Sequence, residues 1–249
     1  MKYVISPAKT MKEFTYAYGD AVQMPRYQTQ TEQLSAHMKQ LDLMQLCAFC
    51  KVSEKLGMSC LRAYQEWTWD DMGTPAIFTY HGIQYQALKP LLFDETELQY
   101  ANTHVRILSG LYGALRPLDC VHPYRLEMQA PLVTKNTMNL YQFWTPVLKA
   151  ELEDECLVDL ASQEYSQVID STIRNSDHYV RIEFYIEKNG KRKAISTAIK
   201  AARGAMLHEI IKRQLTEREA LKDIEVQGFT YRHDLSNDRL FIYVKEQST

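Results

Sequence analysis

The chain has 249 residues, 45% of them hydrophobic and 24% charged, with a formal charge of −2; this is the composition of a soluble, core-forming chain. It offers no overall attraction to nucleic acid. No run approaches the roughly 20 apolar residues of a membrane span, and the opening MKYVISPAKT has no secretory apolar region, so the expectation is a cytoplasmic protein whose five scattered cysteines are reduced thiols.

Tyr3-Val4-Ile5 reads as a short strand leading into Ser6-Pro7, where the proline holds Ser6 extended and sets Lys9 in an early turn. From Thr31 to Trp67, apolar residues at three- and four-residue spacings predict two or three helices. Cys47-Ala48-Phe49-Cys50 has C-x-x-C spacing, but without a second ligand pair it is read as two small core hydrophobes. Gly57-Met58-Ser59-Cys60-Leu61-Arg62-Ala63 approximates the G-h-G-x-x-x-A of a helix-hairpin-helix, with Ser59 in place of the second glycine. Ala76 to Tyr80 and Cys156 to Leu160 are expected to be buried strands.

His104 to Leu108 predicts a further strand. It opens the least periodic segment of the chain, Ile107 to Met128, which holds Gly110, Gly113, Arg116, Asp119, Arg125 and Glu127. Such a segment is expected to contact a ligand, against the alternative of a loop pinned by its own Arg–carboxylate pairs. Asn139 to Leu152 reads as a helix containing Pro146. An acidic stretch follows, with Glu151, Glu153, Asp154, Glu155 and Asp159. Tyr179 to Glu187 alternates as a strand, Asn189-Gly190 supplies a type I′ turn, and Arg192 to Ser196 returns. A helix from Thr197 to Gln214 carries Lys200 and Arg203, and a last hairpin joins Phe229–Arg232 to Leu240–Lys245. No repeat or linker divides the chain, so residues 1–249 are expected to form a single α+β domain with a mixed or antiparallel sheet and flanking helices.

No P-loop, dinucleotide fingerprint, H-E-x-x-H or G-x-S-x-G is present, so no cofactor and no metal site is expected. The basic stretch Lys188, Lys191, Arg192, Lys193, Lys200 and Arg203 is ambiguous, since a charge run is often a solvated face.

Taken together, SPAKT at 6–10, LSGLYGALRPLD at 108–119, PYRLEM at 123–128, LYQFW at 140–144, DLASQEY at 159–165 and KAARGAM at 200–206 resemble the YaaA family of bacterial peroxide-stress proteins over essentially the whole chain. The resemblance implies an α+β fold with a positively charged cleft, a helix-hairpin-helix element, binding to DNA including non-duplex forms, and a link to limiting iron-driven DNA damage. Carried onto this chain, the ligand-binding residues would be Ser6, Lys9, Arg116, Arg125, Lys200 and Arg203, with Tyr112, Tyr124, Tyr141 and Trp144 stacking on exposed bases. Its slight acidity implies modest DNA affinity that falls with salt. A competing expectation is an enzyme acting on a modified base or nucleotide, with Lys9 as nucleophile and Glu127 or Glu164 as acid–base. A third is an iron-handling or redox-sensing protein, which would need Cys47, Cys50 or the histidines to converge.

Overall fold

The computed structural model describes residues 1–13, 22–71, 73–131, 139–153 and 156–247. Strands β1 (Lys2–Ile5) and β2 (Thr10–Met11) precede three helices, α1 (Gln28–Lys39), α2 (Leu43–Cys50) and α3 (Glu54–Glu66). Next come β3 (Thr74–Pro75), α4 (Ala76–Thr79), β4 (Tyr80–His81), α5 (Ile83–Leu88) and α6 (Glu95–His104). The middle of the chain forms β5 (Val105–Ser109), β6 (Gly113–Leu115), β7 (Cys120–Val121), α7 (Leu140–Leu152) and β8 (Leu157–Asp159), followed by short helices α8 (Gln163–Ser166) and α9 (Ser171–Arg174). Strands β9 (Tyr179–Lys188) and β10 (Lys191–Lys193), helix α10 (Ser196–Arg213), β11 (Thr230–Tyr231) and β12 (Leu240–Glu246) complete the order. The acidic residues Asp154 and Glu155 lie outside the described residues.

An eight-stranded mixed sheet runs β11-β12-β9-β8-β1-β5-β6, with β10 also on β9. Its five central strands are parallel to one another, and β6, β10 and β11 are antiparallel to their neighbours. Parallel strands covered on both faces need continuous apolar runs rather than alternation, which is why β5 (VRILS) and β8 (LVD) are buried at every residue. The longer β9 alternates buried and half-buried residues as its sequence predicts. Asn189 (φ 53°) and Gly190 (φ 70°) both take the left-handed turn conformation. The hydrophobic core extends from Tyr3 to Tyr243.

Two expected elements differ. Ala76–Thr79 is a helical turn, not a strand; all four residues are buried, and a short apolar run carries no periodicity to separate the two states. Gly57 to Ala63 lies inside α3 and is not a corner between helices. Gly57 is there for packing, since an added Cβ would stand 2.2 Å from Cys47 Sγ on α2.

Candidate functional site

Strand β1 leaves the sheet at Ser6 and β8 leaves it at Leu160, adjacent strands whose exits lie at the same edge because they are parallel. In open α/β sheets the crevice beyond such carboxyl ends is where ligands bind. Here that crevice is a cleft of about 640 Å³ lined by Ser6–Thr10, His81–Gln84, Tyr124–Glu127, Ser162–Tyr165, Lys200 and Arg203. Ser6 is fixed from three sides. Its hydroxyl bonds Ser162 Oγ (3.2 Å) and accepts from the Ser162 amide (2.8 Å), while its carbonyl accepts from Gln84 Nε2 (3.0 Å) and Tyr85 Oη (3.1 Å).

Glu127 holds two cations of the cleft together. Lys9 Nζ and Arg125 Nη2 approach its Oε1 at 2.8 and 2.9 Å, and Arg125 Nη1 also donates to the Lys9 carbonyl (3.1 Å). The guanidinium of Arg125 is thereby pinned while Lys9 stays largely exposed. Glu164 sits close enough to Glu127 for the two charges to repel: burial first, and Glu127 second, hold its carboxyl above the usual carboxylate range, against amides of Met128 and Gln129 that favour the ionised form. Arg203 is mostly buried, and burial followed by the neighbouring Arg181 brings its guanidinium down to about 10. Lys200, one helical turn before it, is exposed.

Among the described residues, four buried side-chain polar atoms have no hydrogen-bond partner, and three of them belong to residues of this cleft: Arg125 Nε, Arg203 Nε and Glu164 Oε1. Native structures seldom leave such atoms unpaired, because each costs about 1–3 kcal/mol. A polar ligand or ordered water held in the cleft would satisfy them.

Of the residues expected from sequence, the structure brings Ser6, Lys9, Tyr124, Arg125, Glu127, Glu164, Lys200 and Arg203 into the cleft. Tyr141 stands behind it, donating to the Glu164 carbonyl (3.0 Å). Tyr112 and Trp144 are fully buried and cannot stack on a base. Tyr112 Oη accepts from Trp67 Nε1 and the His122 amide, each at 3.2 Å. Trp144 donates to the Gly110 carbonyl (2.9 Å) and lies against Gly113, whose φ of 76° suits glycine and whose added Cβ would meet the ring at 2.6 Å. Arg116 is bound to Asp119 (2.7 Å) and to the Met24 carbonyl (3.1 Å), away from the cleft: for this arginine the pinned-loop alternative holds. Thr10, His81, Gln84 and Ser162 also line the cleft; Thr10 and Ser162 carry a sequence signal through SPAKT and DLASQEY, and His81 and Gln84 carry none.

Cys50 is buried, with its thiol pushed up to about 12 by burial and donating to the Arg125 carbonyl (3.1 Å). Among the described residues no group of three or more His, Cys, Asp or Glu could hold a metal ion, and no helix is long and apolar enough to cross a membrane.

Fold and cleft together define a mixed α/β protein with cations and a carboxylate pair gathered at the carboxyl ends of parallel strands. The chain matches the family described as "Peroxide stress protein YaaA" over residues 1–235 and belongs to it. It is similar to UPF0246 proteins of Pediococcus pentosaceus (38% identity over 99% of both chains) and Clostridioides difficile strain 630 (36% over 99% of this chain and 100% of the relative). A UPF0246 protein of Marinomonas sp. is 34% identical over 100% of this chain and 98% of its own.

Proposed function

We propose that this peroxide-stress family member binds DNA by seating one extruded nucleotide in the cleft, its phosphate on Lys9, Arg125, Lys200 and Arg203. The observation that carries the reading is the unpaired Arg125 Nε, Arg203 Nε and Glu164 Oε1 beside those cations. A volume of about 640 Å³ falls within the roughly 300–1,000 Å³ of small-molecule sites. A duplex cannot enter a recess of that size, so bubbles and single strands are favoured over paired DNA, whose bases must first be unstacked. Tyr124, half-buried, and Tyr165 supply aromatic rings to the wall of the cleft. Fluorescence anisotropy of labelled single-stranded, bubble and duplex DNA at two salt concentrations tests this, with Lys9→Ala and Lys200→Ala as comparisons. Equal affinity for duplex and bubble, or affinity untouched by both substitutions, refutes it.

A second reading is favoured by Glu164: a carboxyl that burial and a neighbouring carboxylate hold above the usual range, beside that second carboxylate, is an arrangement used to cleave glycosidic bonds. Glu164 would pass its proton to the departing base, and Glu127 would take one from the water attacking the sugar. In this reading Lys9, ion-paired with Glu127 (2.8 Å), serves as a cation rather than as the nucleophile. Abasic sites formed by the wild type and lost in Glu164→Gln support this reading; intact DNA with both proteins rejects it.

A further inference from the structure

The hairpin formed by β9 and β10 reaches past the cleft. Strand β8 ends beside β9 with Asp159 opposite Arg181, while β10 takes the same flank of β9 with Lys193 opposite Ile186. Five residues separate the two contacts on β9, about 17 Å at ~3.3 Å per residue. The hairpin therefore extends the sheet beyond the carboxyl end of β8, the end that carries the cleft. All three β10 residues, Lys191, Arg192 and Lys193, are exposed, as is Lys188 at the end of β9.

The acids in register there are already engaged. Glu187 faces Arg192 (3.8 Å) and Glu246 reaches Arg232 (3.9 Å). Lys188, Lys191 and Lys193 pair with no carboxylate among the described residues. Helix α10 follows β10 directly, and Ser196, Lys200 and Arg203, four and three residues apart, share one of its faces. Arg203 and Lys200 thus stand on the helix that leaves the hairpin, and the hairpin's lysines lie on the sheet extension past the end of β8 that carries the cleft.

We propose that this hairpin is a backbone-tracking arm, which binds the phosphates of the single strand flanking the nucleotide held in the cleft. The proposal rests on the nucleotide reading above. Three lysines on a two-stranded ribbon contribute charge without base-edge hydrogen bonds, so the arm adds affinity without sequence preference. It also explains how a chain of net charge −2 attracts a polyanion: the positive charge is local.

The test compares wild type with the triple variant Lys188→Ala, Lys191→Ala, Lys193→Ala, using two probes: a labelled 12-nucleotide oligothymidylate and a fluorescent thymidine monophosphate. Each single-strand phosphate contact contributes about 0.7 to the slope of log affinity against log salt. The variant should lose about 2 units of slope and bind the oligonucleotide roughly a hundredfold more weakly at 0.1 M salt, with mononucleotide affinity unchanged. The charge reversal Lys191→Glu should weaken the oligonucleotide alone, and matching circular dichroism confirms that each variant is folded. Oligonucleotide binding that keeps its affinity and slope in the triple variant overturns the arm but leaves the cleft reading intact. Parallel loss of both probes in a folded variant also overturns it, by making the lysines part of the cleft. Mononucleotide binding without oligonucleotide binding in the wild type overturns the arm and the DNA reading, and leaves the cleft to a free nucleotide.

Discussion

Gly204 is where the placement of two cleft cations is decided. An alanine Cβ there would stand 1.9 Å from the Gln84 carbonyl oxygen and 2.8 Å from its carbon, both backbone atoms of α5. Ordinary contact begins near 3.4 Å, so α10 must withdraw from α5 by about 1.5 Å. Overpacking of this kind costs about 1–3 kcal/mol, and contact with rigid backbone puts it at the upper end. Replacing a helical glycine by alanine returns about 1 kcal/mol of helix propensity. Gly204→Ala should therefore destabilise the fold by about 2 kcal/mol and lower Tm by about 4–8 °C. The same withdrawal draws Arg203 and Lys200 off the cleft, and loosens Gln84, which holds the Ser6 carbonyl. Differential scanning calorimetry and DNA anisotropy on one preparation read both effects. An unchanged or higher Tm with undiminished binding would refute the claim that backbone contact at Gly204 sets the cleft.

Removing the buried, unpaired Nε of Arg203 with Arg203→Met should leave stability unchanged or raise it by about 1 kcal/mol, while weakening DNA binding; urea unfolding and anisotropy together check this opposition. Glu127→Gln frees Lys9 and Arg125 from their internal carboxylate, so affinity for DNA or inorganic phosphate should rise severalfold, as titration calorimetry would show. Glu164, with its folded pKa raised, binds its proton more tightly when folded, so its penalty on stability grows as pH rises from the unfolded value of about 4.3. Glu164→Gln should accordingly gain stability over wild type at pH 7, and the gain should vanish below about pH 4 in urea titrations. Tyr112→Phe should cost about 1–2 kcal/mol by orphaning Trp67 Nε1 and the His122 amide, yet leave DNA affinity unchanged, which separates a core tyrosine from a stacking one.

The elements legible in the sequence were those whose signal is local. The Asn189-Gly190 turn, the alternation of β9 and the amphipathic span of α7 each declare themselves within a dozen residues. Ala76–Thr79 did not, because complete burial removes the polar residues that would mark a period. In the candidate site, Lys9, Arg125, Glu127, Glu164, Lys200 and Arg203 are legible through the short strings that hold them and line one cleft, but no string says which aromatic ring faces inward. Tyr112 and Trp144 lie in strings of the same kind but are fully buried in the core, where Gly113 leaves room for the Trp144 ring. The role of Gln84 rests on a bond to a residue 78 positions away, and nothing local announces it.

The cleft joins residues from the first strand to the last long helix, and this has a meaning for the chain while it is being made. Between the synthesis of Lys9 and that of Arg203 a ribosome adds 194 residues, taking about 10–40 s at ~5–20 residues per second. Within that interval the partners of Ser6 and Lys9 arrive one after another, Gln84 first, then Glu127, then Ser162. A product cut short anywhere before α10 lacks Lys200 and Arg203, so the cleft is completed only when the last long helix has been made.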